Sequence, residues 1–145
     1  MATQVDTGTE ELLLRIEDHV ATLTFNRPEK RNALSDRLTP ALRQCLLELD
    51  TNADVRCVVI TGAGKAFCAG GDISGMNSGE AGSAKPSLDD TVRLLQEKQS
   101  TLSLRLHHFS KPTIAALPGA AAGAGLSIAL ACDLRIAADS AFITT

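Results

Sequence analysis

The chain has 145 residues, 44% apolar and 21% charged, with a net charge of −3 and neither Trp nor Tyr. That balance describes one folded domain with a sizeable core, residues 1–145, and excludes a disordered segment. A mildly acidic surface poor in aromatics also excludes a nucleic-acid platform, which needs basic and stacking side chains.

Met1–Glu11 is polar and acidic, with neither the basic and apolar regions of a secretory leader nor the arginines of a transit peptide. Cys45, Cys57, Cys68 and Cys132 form no Cys-x-x-Cys pair and sit among apolar residues. They are expected as reduced core thiols of a cytoplasmic protein, not disulfides, and no metal site is expected.

Leu12, Leu14 and Ile16 alternate with less apolar positions, as do Val20, Leu23 and Phe25 further on. Two strands joined at Glu17-Asp18-His19 are predicted to form a hairpin. The segment Asn26–Leu34 follows, with Arg27, Lys30 and Arg31 close together around Pro28. It reads either as a solvated turn or as a cradle for a phosphate group. A helix then starts at Ser35 as a cap, or at Thr39 with Pro40 in the first helical position. Leu38, Leu42, Cys45, Leu46 and Leu49 form its apolar stripe, and it is expected to end near Asp50.

The apolar run Val58-Val59-Ile60-Thr61 predicts a buried strand ending at Gly62. Glycines at 62, 64, 70 and 71 follow, and Asp72 stands where an N-cap would, ahead of Ile73. A strand, a glycine loop and a capped helix start can aim backbone N–H groups at an anion. Two nucleotide loops fail here: Lys65 is followed by Ala66 rather than Ser or Thr, and Phe67 stands where a dinucleotide loop needs its third glycine.

Ser74–Ser87 carries three glycines, a proline and no periodicity, and is expected as a mobile loop. Ser87–Ser110 is predicted as one long amphipathic helix burying Leu88, Val92, Leu95, Leu102, Leu106 and Phe109, with an acidic start at Asp89 and Asp90. His107 and His108 near its end have no third ligand spaced to join them. From Pro112 to Cys132 run 21 residues without a charge. Two prolines, three glycines and many alanines make that stretch too weakly apolar to insert in a bilayer. It parses instead as a strand, Thr113–Leu117, a turn at Pro118-Gly119, and a helix from about Ala122 to Cys132. Leu134–Ala138 and Ala141–Thr145 read as strands, the second with no turn or polar tail to end it. The chain is expected to be cut short.

Two glycine segments leave two classes of ligand open. Gly119-x-x-x-Gly123-x-Gly125 after a strand, with Asp139 twenty residues on, suits an NAD(P)-binding protein. Such a unit would open its domain, however, and would leave the first 110 residues unexplained.

The second class comes from a resemblance. Lys65-Ala66-Phe67-Cys68-Ala69-Gly70-Gly71-Asp72-Ile73 closely resembles the first oxyanion loop of the crotonase (enoyl-CoA hydratase/isomerase) family, and Leu117–Gly125 resembles its second. Asn26-Arg27-Pro28 followed by Asn32-Ala33-Leu34 is similar to the family's opening signature. The resemblance runs from about Leu12 to Thr145. It implies an α/β fold, a spiral of ββα repeats, of which this chain would supply roughly the N-terminal half, ending before the C-terminal helices.

By that resemblance, the backbone N–H groups of Ala69 and Ala124 would be the oxyanion donors. Lys30, Arg31, Ala33, Ala66, Gly70, Gly71, Asp72, Gly123 and Ser127 would border the substrate, an acyl-coenzyme A. No bound cofactor is implied; coenzyme A comes as part of the substrate. A homo-oligomer, trimer or hexamer, is implied as well, with neither nucleic acid nor membrane as partner. The chain departs from the pattern at Ser127, where the family's hydratases carry a glutamate, and the family's second acid would lie after Thr145. Enolate chemistry on a thioester is therefore expected, with hydration in doubt. The alternative is a non-catalytic acyl-CoA-binding or scaffold protein of the same fold.

Overall fold

A computed structural model describes residues 1–73 and 87–145. Nine strands, a short 3₁₀ turn and four helices occur among them. Strands β1 (Thr3–Val5), β2 (Leu12–Glu17) and β3 (Val20–Phe25) form an antiparallel meander in which Thr3 faces Ile16 and Leu12 faces Phe25. The hairpin between β2 and β3 turns on Asp18 and His19, both with positive φ (50° and 67°). That is the backbone twist a two-residue hairpin loop demands, met here by Asp and His instead of glycine.

Helix α1 (Leu38–Thr51) buries the stripe expected of it, Leu38, Leu42, Cys45, Leu46 and Leu49. The start falls between the two expected, with Pro40 third in the helix and not first. The Ser35 hydroxyl accepts the Leu38 N–H at 3.0 Å, while the helical turns begin at Leu38 with Pro40 in the first of them.

From here the chain repeats one pattern. β4 (Cys57–Gly62) is followed by the short β5 (Ala66–Cys68), then by helices α2 (Leu88–Ser100) and α3 (Ser103–His107). β6 (Thr113–Leu117) is followed by β7 (Ala120–Ala122) and helix α4 (Ala124–Ala131). β8 (Leu134–Ala137) and β9 (Ile143–Thr144) open a third turn. The first strand of each pair adds in parallel to a six-stranded sheet, ordered β1-β2-β3-β4-β6-β8. The second adds in parallel to a three-stranded sheet, ordered β5-β7-β9. This is a spiral of ββα turns, as the resemblance implies. Its core joins Phe25, Phe67, Leu23, Ile60 and Ile128, with the Phe25 and Phe67 rings edge to face at 5.5 Å.

The structure corrects two element expectations. The helix predicted over Ser87–Ser110 breaks at Thr101-Leu102 into α2 and α3. Its stripe is also only half used: Leu102 and Leu106 are buried, but Leu88, Val92 and Leu95 are 79%, 45% and 55% exposed. Leu102 and Leu106 join the core, while the apolar residues toward the N-terminal end stay exposed. The helix expected from Ala122 starts at Ala124, because Ala120–Ala122 is drawn into the small sheet beside Ala66 and Cys68. The helix start expected after Asp72 lies outside the described residues. Of the loop expected over Ser74–Ser87, residues 74–86 lie outside the described residues. No described helix is long and apolar enough to cross a membrane.

Candidate active site

The Asn26–Leu34 segment is built around two polar side chains. Asn32 is fully buried at φ +58°, a left-handed conformation that asparagine tolerates. Its Oδ1 accepts the Arg27 N–H at 2.9 Å, and its Nδ2 donates to the carbonyls of Ala63 (2.9 Å) and Ala66 (2.8 Å). One amide thereby pins this segment to the first glycine loop. Arg27 is spent internally too. It donates to the Ala33 carbonyl at 2.7 Å, pairs with Asp72 at 2.9 Å, and lies 3.5 Å from the Glu11 carboxylate. Of the three cations read as a possible phosphate cradle, only Lys30 and Arg31 are exposed.

The first glycine loop is fixed by short backbone bonds. Leu34 N–H donates to the Gly70 carbonyl at 2.7 Å, and Asp72 N–H donates to the Leu34 carbonyl at 2.9 Å. These flank Gly71, whose own N–H finds no acceptor among the described residues. The Ala69 N–H, by contrast, donates to the Arg31 carbonyl at 3.0 Å. The expectation that Ala69 supplies an oxyanion donor meets an N–H that already has an acceptor. Two residues on, at Gly71, the loop presents an open N–H instead.

The second glycine segment meets the first directly. Gly70 has φ +97° and Gly123 φ +50°, both in the region that favours glycine. A Cβ added at Gly70 would lie 3.2 Å from the Ala122 carbonyl oxygen and 3.7 Å from the Ala124 nitrogen. Ala124 opens α4, so its N–H is one of the four a helix start leaves without an internal partner, and no described residue accepts it. Ser127, one turn on, donates its hydroxyl to the Gly123 carbonyl at 3.3 Å.

Gly71, Asp72, Ala124 and Ser127 line one cavity of about 580 Å³, bounded also by Leu34–Asp36, the first turn of α1 and the α2–α3 junction. Arg31 and Ala66 line a separate cavity of about 710 Å³ with Lys65, Gly119 and Phe142. Lys30 is exposed beside it in sequence, Ala33 contributes its carbonyl to Arg27, and Gly70 and Gly123 support the loops from behind. The structure thus brings Gly71, Asp72, Ala124 and Ser127 together and leaves Arg31 and Ala66 on another wall. Glu11, Arg27 and Asn32 organise the site without having been singled out for that role. A buried Asn looks like any turn residue in sequence.

The thiols of Cys45, Cys68 and Cys132 are pushed up to about 11, in each case chiefly by burial. None is poised as a nucleophile. The dinucleotide reading of Gly119–Gly125 also fails on geometry. Strand β7 stands between Gly119 and the helix, and a Cβ at Gly119 would sit 1.9 Å from the Lys65 carbonyl oxygen, so this glycine serves chain packing, not a cofactor.

A family model for enoyl-CoA hydratase/isomerase matches residues 15–145. The chain belongs to this family. It is 44% identical over 132 residues to the probable enoyl-CoA hydratase EchA14 of Mycobacterium tuberculosis, covering 91% of this chain and 48% of that protein. It is 41% identical to the 1,2-epoxyphenylacetyl-CoA isomerase of Escherichia coli, covering 91% and 49%. Among solved structures, an enoyl-CoA hydratase/isomerase from Marinobacter aquaeolei superposes with a TM-score of 0.82 at 32% identity, covering 93% of this chain and 51% of that one. The hydratase/isomerase chain described here spans about half the length of these relatives.

Proposed function

We propose that this chain binds an acyl-coenzyme A with its thioester carbonyl between the N–H groups of Gly71 and Ala124, and that the protein carrying it acts on the enolate of that thioester. The observation that carries the reading is one cavity lined by two residues whose backbone N–H groups have no acceptor among the described residues, one of them at a helix N-terminus. When a proton leaves the α carbon, negative charge collects on the thioester oxygen. Fixed donors at that oxygen need no reorganisation, and the α4 dipole adds favourable potential. No resident cofactor takes part; coenzyme A enters with the substrate.

Arg27 and Asn32 act as positioning residues. By holding Asp72 and the Ala63 and Ala66 carbonyls, they fix the Gly70–Asp72 backbone in the conformation that leaves the Gly71 N–H open. Ser127 occupies the place where the family pattern puts a glutamate. Its hydroxyl is bonded to the Gly123 carbonyl and to no base among the described residues, so it does not hold or release a proton near neutral pH. This favours isomerisation or a related enolate step over simple hydration. The same bond supports a second reading, an acyl-CoA-binding protein without acid/base chemistry. Titration with a saturated acyl-CoA and an assay of a short 2-enoyl-CoA separate the two: binding without turnover selects the second, and absence of binding overturns both.

A further inference from the structure

On the α1 side of the same cavity stands Arg43. Thr39, Pro40 and Arg43 all line it, and Thr39 and Arg43 are one helical turn apart on one face. The Nε of Arg43 is removed from solvent and has no hydrogen-bond partner, the one such side-chain atom among the described residues. Arg43 also forms no ion pair there. The two carboxylates on the wall do not serve it: Asp72 pairs with Arg27, and Asp36 is exposed and unpaired with Arg43. Lys98 adds a second cation to the same wall. A buried guanidinium N–H without an acceptor is costly, and what matches its planar fork is a carboxylate.

Resting on the acyl-CoA reading above, we infer that the acyl group taken by this site ends in a carboxylate, which Arg43 receives while Gly71 and Ala124 hold the thioester oxygen. Arg43 as a whole is half-buried, so its terminal Nη groups remain within reach of a ligand while the Nε stays unsatisfied beside a neutral acyl chain. A carboxylate at the far end of the acyl group pairs with the cation, and it discriminates against neutral chains of the same shape, because the wrong ligand leaves the charge unpaired.

The test compares glutaryl-CoA with 5-methylhexanoyl-CoA, which replaces the terminal carboxylate by an isopropyl group of similar shape, using direct titration of wild type and Arg43→Met. The inference expects wild type to prefer glutaryl-CoA by about 10-fold or more. Arg43→Met should abolish that preference with little change in 5-methylhexanoyl-CoA affinity. Its thermal melt should be no lower than that of wild type, since the substitution removes an unpartnered buried donor. The preference should persist with glutaryl-pantetheine, which lacks the nucleotide phosphates. Equal binding of the two CoA esters by wild type, or equal weakening of both by Arg43→Met, would overturn the inference and leave the acyl-CoA reading standing. Loss of the Arg43 effect with the pantetheine ester would overturn it by assigning the arginine to a phosphate of coenzyme A. Failure of every thioester to bind would overturn the inference together with the reading beneath it.

Discussion

The Ala69 N–H donates to the Arg31 carbonyl at 3.0 Å, so this amide of the first glycine loop is already satisfied. The Gly70 carbonyl and the Asp72 N–H are tied to Leu34, and the Gly71 N–H has no acceptor among the described residues, in a cavity that Ala124 also lines. Gly71→Ala keeps that N–H, and a Cβ there meets nothing within 4 Å, so its turnover should stay close to wild type. Gly71→Pro removes the donor and should lower turnover of an acyl-CoA substrate by about 10²–10³. Kinetics of the two variants, each checked for a cooperative melt, settle the assignment; equal rates would remove Gly71 from the site.

On the proposed reading, Ser127 decides whether water can be added. Ser127→Glu places a carboxyl one turn from the Ala124 N–H, on the same side of α4. Provided a second acid is in reach, hydration of a short 2-enoyl-CoA should rise by an amount within the 10²–10⁴ that a positioned acid/base contributes. Loss of enoyl absorbance is the readout. Fast hydration by the unaltered protein would show that Ser127 does not divert the chemistry.

Asn32 is the polar pin of the site. Asn32→Ala leaves the Ala63 and Ala66 carbonyls and the Arg27 N–H without their partner in a fully buried place. The expected cost is about 3 kcal/mol of unfolding free energy. Urea denaturation measures it, and a loss below roughly 1 kcal/mol would mean water enters and replaces the amide.

Arg27→Gln should act on the site more than on the core. It breaks the pair with Asp72, whose side chains are 12% and 18% exposed, and costs on the order of 2 kcal/mol. Acyl-CoA binding should weaken by more than the change in stability predicts, because the Gly71 peptide loses its support. Calorimetric titration beside thermal melts distinguishes this from a uniform destabilisation.

Asp133 carries an acid dependence of stability. The Thr113 N–H (2.8 Å) and hydroxyl (2.9 Å) donate to its carboxylate, and these bonds, the backbone one first, hold the carboxyl below its ordinary range. A carboxyl lowered in the fold stabilises it fully above its unfolded value, about 3.9, and that contribution is lost as pH falls through the folded value. Asp133→Asn should therefore melt lower than wild type at pH 7, and the gap should narrow toward pH 3. A gap that does not depend on pH would assign the effect to geometry alone.

Much of the large sheet and of α1 was readable from residue periodicity. Alternation marks β2 and β3, a β-branched run marks β4, and the spacing of Leu38, Leu42, Cys45, Leu46 and Leu49 marks α1. Of the small sheet, only β9, inside the Ala141–Thr145 strand, was readable. β5 and β7 are three residues each, built of Ala-Phe-Cys and Ala-Ala-Ala inside glycine-rich segments, and they exist because they pair with each other. The stripe of α2 follows the helical period, but period alone cannot tell whether anything covers Leu88 or Val92. At the site, the motif located the loop yet not the amide that opens outward. The Ala69 amide is satisfied by the Arg31 carbonyl, 38 positions away in sequence. Asn32 showed its burial only in three dimensions.

The account turns on whether a thioester carbonyl sits between Gly71 and Ala124. Isotope-edited infrared difference spectroscopy of a saturated acyl-CoA carrying ¹³C at the thioester carbonyl reads this without requiring turnover. Two backbone donors should shift the carbonyl stretch of the bound ligand to lower frequency than in water, and Gly71→Pro should return most of that shift while Gly71→Ala keeps it. A bound carbonyl at the same frequency as in solution, or a shift that Gly71→Pro leaves in place, would contradict the account.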